Sequence, residues 1–134
     1  MSVFDTMRIA ASGLTAERFR MDVAASNLAN SRSTRSSTGG VYQPTAPVFQ
    51  AMTMSSDGAQ GVAAVGVTPI GGDPIKVYDH RHPDADANGF VTYPDVDAAA
   101  QMTDLMGASR SYSMNATVTQ AAKQSALDAI ELGR

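Results

Sequence analysis

The chain has 134 residues, a formal net charge of −3 and no cysteine, which supports one domain or one elongated module and excludes a disulfide framework or a thiolate metal site. The acidic balance disfavours a nucleic-acid binder, whose affinity rests on neutralising phosphates. Hydrophobic residues reach 43% but lean on Ala and Met, with four Phe, four Tyr and no Trp, so thin helix–helix seams are expected rather than a bulky core.

Residues 3–30 carry the strongest pattern. Met7, Leu14, Met21 and Leu28 recur every seven residues, and Phe4, Ala11 and Ala25 fall three residues before three of them. This is the a/d spacing of a coiled-coil seam, with Arg18 as its charged interruption. Ser2 and Asp5 resemble a capping box at the helix start. A helix of this length spans about 42 Å, too long for the interior of so small a domain, and a seam half made of alanine needs partners. Asn27 and Asn30, in the closing Ala25-Ser26-Asn27-Leu28-Ala29-Asn30 run, suit either a helix cap or bonds across subunits.

Residues 31–40 read as a polar linker whose Arg32 and Arg35 keep it soluble or meet an anionic surface. Residues 41–96 change period. Extended chain is expected over 41–49, with Pro44 and Pro47 confining it to an edge, then a loop around Asp57-Gly58, a β-rich stretch over 62–70, a turn at Gly71-Gly72-Asp73-Pro74 and a strand over 75–78. Together they predict a small antiparallel β unit inserted between helices.

Residues 84–95 look most like chemistry. Asp84, Asp86, Asn88, Gly89 and Asp95 occupy positions 1, 3, 5, 6 and 12 of an EF-hand loop, the oxygen-ligand spacing that wraps calcium. Against this, Pro83 sits where an incoming helix should end, position 12 is the shorter Asp, and no second loop pairs with this one. The competing reading is an Asx-rich turn. His80 and His82 lie beside Asp79 and Asp84, but Pro83 stiffens the segment and no transition-metal site is expected. No Ser or Thr stands in a nucleophile-elbow or P-loop context, so neither enzyme activity nor a cofactor or small-molecule substrate is expected.

A second long helix is expected over 97–132, capped by Asp95 or Asp97 and by Gly133. Leu105, Tyr112, Ala116, Thr119, Leu127 and Ile130 form one stripe, widened by Met102, Met106, Ala122 and Ala126. The fold expected is mainly α with a small β insert. Residues 1–30 and 97–134 pair as a coiled-coil-like helical domain, 31–40 link, and 41–96 form the insert. No apolar run reaches the ~18 residues of a membrane span. The N-terminus has neither the basic nor the apolar region of a cleaved secretory signal, so any export is expected to use another route.

Four blocks, in order, resemble the flagellar basal-body rod proteins, most closely the proximal-rod type. They are Ser12-Gly13-Leu14-Thr15-Ala16-Glu17 with Ala25 to Asn30; Ser36 to Tyr42 with Pro47-Val48-Phe49; His82 to Asp86 with Gly89 to Asp97; and Ala108 to Tyr112 with Asn115. The basic run after Asn30 and Asp95, where the family often has Asn, are departures. The resemblance implies that residues 84–95 are a structural turn, leaving an EF-hand-like calcium module as the alternative. It further implies a self-assembling structural subunit of the periplasmic rod that transmits torque, lines the export channel and is exported without a cleaved signal. Its partners would be further copies, other rod proteins and the flagellar export apparatus. The assembly residues expected are Met7, Leu14, Met21, Asn27, Leu28 and Asn30 on the first helix and Leu105, Tyr112, Leu127 and Ile130 on the second.

Overall fold

A computed structural model describes residues 3–36, 39–54 and 58–133. Helix α1 spans Val3–Asn30 and α2 spans Ala98–Leu132. Between them lie β1 (Thr45–Thr53), β2 (Gln60–Pro69), β3 (Ile75–Tyr78) and β4 (Phe90–Tyr93). The expected architecture of two long terminal helices around a β insert is present. Ser2 of the expected capping box, Ser37 and Thr38 of the linker, and Asp57 of the hairpin loop lie outside the described residues.

The insert is two separate antiparallel hairpins, β1–β2 and β3–β4, rather than one unit. β1 continues past the expected extended stretch to Thr53, and Met54 N–H donates to Ala59 C=O to close its hairpin. The register slips between Val48 and Phe49, opposite Gly66 and Ala64, leaving Val65 as a bulge. β3 pairs with β4 from Ile75–Tyr93 to Tyr78–Phe90 and packs on no other helix or strand among the described residues.

The helices run antiparallel in one register. Asn27 meets Gln101, Arg20 meets Asp104, and Gly13 faces Asn115. α1 alone touches both α2 and the β1–β2 hairpin, so it must bury two faces. This rotates the seam away from the expected one. Met7, Leu14, Met21 and Leu28 are half-buried, but Phe4, Ala11, Arg18 and Ala25 form a row turned to solvent, with Phe4 71% exposed. The buried positions are instead small or polar, among them Ala10, Ser12, Ala16, Ala24 and Asn27, with Val23. On α2 the inner positions recur every seven residues as Gln101, Ala108, Asn115 and Ala122, while Tyr112, Leu127 and Ile130 are exposed. Small side chains set the closest approach of two helices, and large ones are left at its margins.

Asp97, not Asp95, is the N-cap of α2, its carboxylate accepting from Ala99 N–H at 2.9 Å and Ala100 N–H at 3.1 Å. Gly133 follows the last helical turn with φ −89°, without the left-handed conformation.

The Gly13 crossing has a measurable consequence. A Cβ added at Gly13 would stand 2.7 Å from Asn115 Nδ2. Ala favours a helix over Gly by about 1 kcal/mol, and in the native chain the Asn115 amide must move aside, so Gly13→Ala is expected to stabilise the Asn115→Ala variant more than the native chain. A double-mutant cycle by chemical denaturation checks this; additive effects would mean that the side chains do not meet.

Candidate assembly interface

Asn27 is 1% exposed and its amide is saturated. Nδ2 donates to Thr45 C=O at 2.7 Å and to Gln101 Oε1 at 3.0 Å, while Oδ1 accepts from Thr45 N–H at 3.0 Å and Tyr42 O–H at 2.9 Å. An amide has two donors and room for two acceptor bonds, so nothing is left over. Tyr42 spends its proton here, so the Ser26 hydroxyl, 3.3 Å away, donates to it. One side chain thus joins α1, the entry to β1 and α2. Asn27 turns inward to bonds within the chain. Asn30 donates from Nδ2 to Ser26 C=O at 2.9 Å, covering a carbonyl of the last helical turn.

Two further polar contacts pin α1. Ser12 Oγ donates to Ile9 C=O at 2.7 Å and accepts from Val62 N–H at 3.2 Å, fixing β2 on the helix. Arg20 Nε donates to Asp104 Oδ1 at 2.9 Å, and its guanidinium lies 3.7 Å from Glu17. Both partners of the Arg20–Asp104 pair are about one-third exposed, so it is worth only about 0.2–1 kcal/mol, but it contributes to the helical register.

The calcium spacing does not become a calcium loop, because its carboxylates are spent on different partners. Asp84 accepts from the Thr34 hydroxyl at 2.7 Å and pairs with Arg35, which ties the linker to the β3–β4 turn. Asp86 Oδ1 accepts from Asn88 N–H at 2.8 Å and Phe90 N–H at 2.9 Å, the Asx-turn arrangement. Asp95 Oδ2 accepts from Gly72 N–H at 2.7 Å. His82 Nδ1 accepts from Asp84 N–H at 3.1 Å. Among the described residues no three His, Asp or Glu side chains are grouped as a metal site. The basic linker therefore has a local use: Arg35 serves Asp84.

Large apolar side chains are exposed along the outer surface of α2 among polar ones such as Ser109, Arg110, Thr117, Lys123 and Gln124. Met102, Met106, Met114 and Val118 are 45–60% exposed along α2, followed by Leu127 at 45% and Ile130 at 65%. Of the expected assembly residues, Met7, Leu14, Met21, Leu28 and Leu105 are half-buried at the edges of the seam, while Tyr112, Leu127 and Ile130 stand outside it. The Met102 and Met106 positions, read from sequence only as widening an inner stripe, lie on this outer surface.

Two tests follow. Asn27→Ala leaves the Thr45 peptide and Gln101 unpaired, so it is expected to cost about 3 kcal/mol in denaturant unfolding; a loss below about 1 kcal/mol would make the clamp dispensable. In the β3–β4 turn, the Phe90 and Asn88 N–H groups hold Asp86 below the usual carboxylate range, and the Thr34 hydroxyl, then Arg35, does the same for Asp84. A depressed carboxylate contributes stability above its unfolded pKa and loses it as pH falls through the folded one. Amide protection of Asn88 and Phe90 is therefore expected to persist below the usual carboxylate range, then fall with further acid. Exchange measured by NMR checks it, and loss of protection at the ordinary carboxylate pH would contradict the turn geometry.

Comparison with known proteins agrees with this geometry. Residues 7–34 match the family described as flagella basal body rod protein, and residues 87–132 match the C-terminal region described as flagellar basal body rod FlgEFG protein. The chain is 35% identical over 150 aligned positions to the flagellar basal-body rod protein FlgC of Bacillus subtilis (strain 168), covering all of both chains. It is 37% identical to FlgC of Salmonella typhimurium, again over both whole chains, and 31% identical to that of Borreliella burgdorferi, over 92% of each. Full-length similarity at this level, with α2 and all but the first turn of α1 inside the two matched regions, places the chain in the flagellar basal-body rod protein family as a structural rod subunit of the FlgC type.

Proposed function

We propose that this subunit assembles through its helical hairpin, side by side with further copies and with other rod proteins, to carry torque and line the export channel of the periplasmic rod. The observation that supports this is the set of large apolar side chains on α2, Met102, Met106, Met114, Leu127 and Ile130, that no described residue covers. So many large apolar side chains left exposed on one long helix favour contact with partners. Torque transmission needs no catalytic group; it needs many modest seams acting together. In this reading Met7, Leu14, Met21, Leu28 and Leu105 hold the hairpin shut, and Tyr112, Leu127 and Ile130 face neighbours. Asn27 and Asn30 act from within by fixing the shape that neighbours meet. The flagellar export apparatus is the partner that delivers the chain, without cleaving a signal.

The test separates assembly from folding. The double variant Leu127→Asp, Ile130→Asp changes residues exposed in the isolated subunit, so its Tm is expected to stay within a few degrees of the parent. In a cell lacking its own protein of this family, the parent chain is expected to restore swimming and the variant is not. Restored swimming by the variant would remove these residues from the interface. Failure of the parent in a host whose own rod protein does restore it would count against the rod assignment.

A further inference from the structure

Two features of the helical hairpin complement each other. The first is an overhang. The Asn27–Gln101 and Gly13–Asn115 pairs share one antiparallel register, which puts Val3 opposite about residue 125. The last two turns of α2 therefore run past the first described residue of α1. They carry Leu127, Ile130 and Leu132, 45%, 65% and 89% exposed, with Asp128 and Glu131 between them. Leu127, Ile130 and Glu131 share one helical face, being three and four residues apart.

The second feature is a groove of about 640 Å³ beside the seam, lined by Met21 from α1 and by Leu105, Met106, Ser109, Arg110 and Ser113 from α2. Its wall is mainly apolar, and methionines adapt their shape to an inserted side chain. Arg110 makes no ion pair among the described residues. Glu131 on the overhang is likewise unpaired. The groove thus presents apolar side chains with Arg110, which pairs with no described carboxylate, and the overhang presents apolar side chains with acidic neighbours.

We propose that the α2 overhang of one copy docks in the Met21–Leu105–Met106–Arg110 groove of a second copy. Leu127 and Ile130 enter the groove and Glu131 meets Arg110. The inference rests on the rod reading and specifies how one copy contacts the next. The two surfaces are different and lie far apart on the same helix, so the contact is heterologous. It leaves a free overhang and a free groove at every step, as an extending helical stack requires.

The absence of native cysteine makes the contact directly readable. Met106 and Ile130 are 60% and 65% exposed, so cysteine at either position leaves the fold intact. They stand about 36 Å apart along one helix, far beyond the reach of a disulfide within one chain. Purified full-length Met106→Cys and Ile130→Cys chains, mixed and oxidised at rising concentration, are expected to give the mixed 106–130 dimer. The double variant is expected to give a ladder of multimers. Adding Arg110→Glu is expected to abolish the mixed link, and pairing it with Asp128→Lys, Glu131→Lys chains to restore it. Only 106–106 or 130–130 links, or no link at any concentration, would overturn the docking. If the links fail while the parent chain restores swimming, the rod assignment stands and this contact alone falls.

Discussion

The arrangement depends on one buried amide. Asn27 is the only side chain described that bonds at once to the strand entry at Thr45 and to α2 at Gln101. Removing it would leave a seam of alanines and half-buried methionines, which can slide because small apolar contacts are nearly equivalent from one turn to the next. A saturated polar group cannot slide without abandoning bonds that nothing nearby replaces. The Arg20–Asp104 pair and the Gly13–Asn115 crossing repeat this logic along α1 with less energy and more geometric tolerance. The seam therefore takes closeness from alanine and glycine and register from polar groups.

That division explains what was legible in the sequence. Two long helices, their approximate ends and the β insert follow from periodicity, Asp97 and the Pro- and Gly-rich middle. The face of each helix that packs inward followed only in part, since Met7, Leu14, Met21, Leu28, Leu105 and Ala122 turn inward but Tyr112, Leu127 and Ile130 do not. A hydrophobic stripe draws the eye to Leu105, Tyr112, Leu127 and Ile130, whereas close packing selected Ala108 and Asn115, displaced around the helix, with Ala122 from the margin of that stripe. Large residues are easier to see in a pattern and harder to fit between two backbones. An asparagine in a late helical turn suggested a cap or a contact between subunits. Its partners lie 18 and 74 residues away, and no local signal names them.

The insert teaches a similar lesson. Aspartates at calcium-loop spacing describe a backbone that turns sharply, and an Asx turn needs the same short acidic side chains. What separates the two is where each carboxylate finds its donor. Asp84 finds Thr34 and Arg35, Asp86 finds backbone amides ahead of it, and Asp95 finds Gly72. The strand expected at Ile75–Tyr78 is present, but its mate is β4 across the acidic turn, so the insert divides into two hairpins. Among the described residues only β1–β2 lies against a helix; β3–β4 is held by loop contacts, with Val91 as its fully buried side chain.

The Thr45 and Gln101 contacts of the Asn27 clamp also differ in how much chain they close. Reaching Thr45 closes a loop of 18 residues, while reaching Gln101 closes one of 74. Loop-closure entropy makes the second about 1.3 kcal/mol more costly before any contact offsets it. α1 with the β1–β2 hairpin is therefore the half that can organise first, presenting a finished surface on which α2 condenses. In the export and assembly proposed above, that order suits a chain that takes shape only on arrival. In that proposal the earlier part forms a template, and the last helix completes both the subunit and the surface offered to a neighbour.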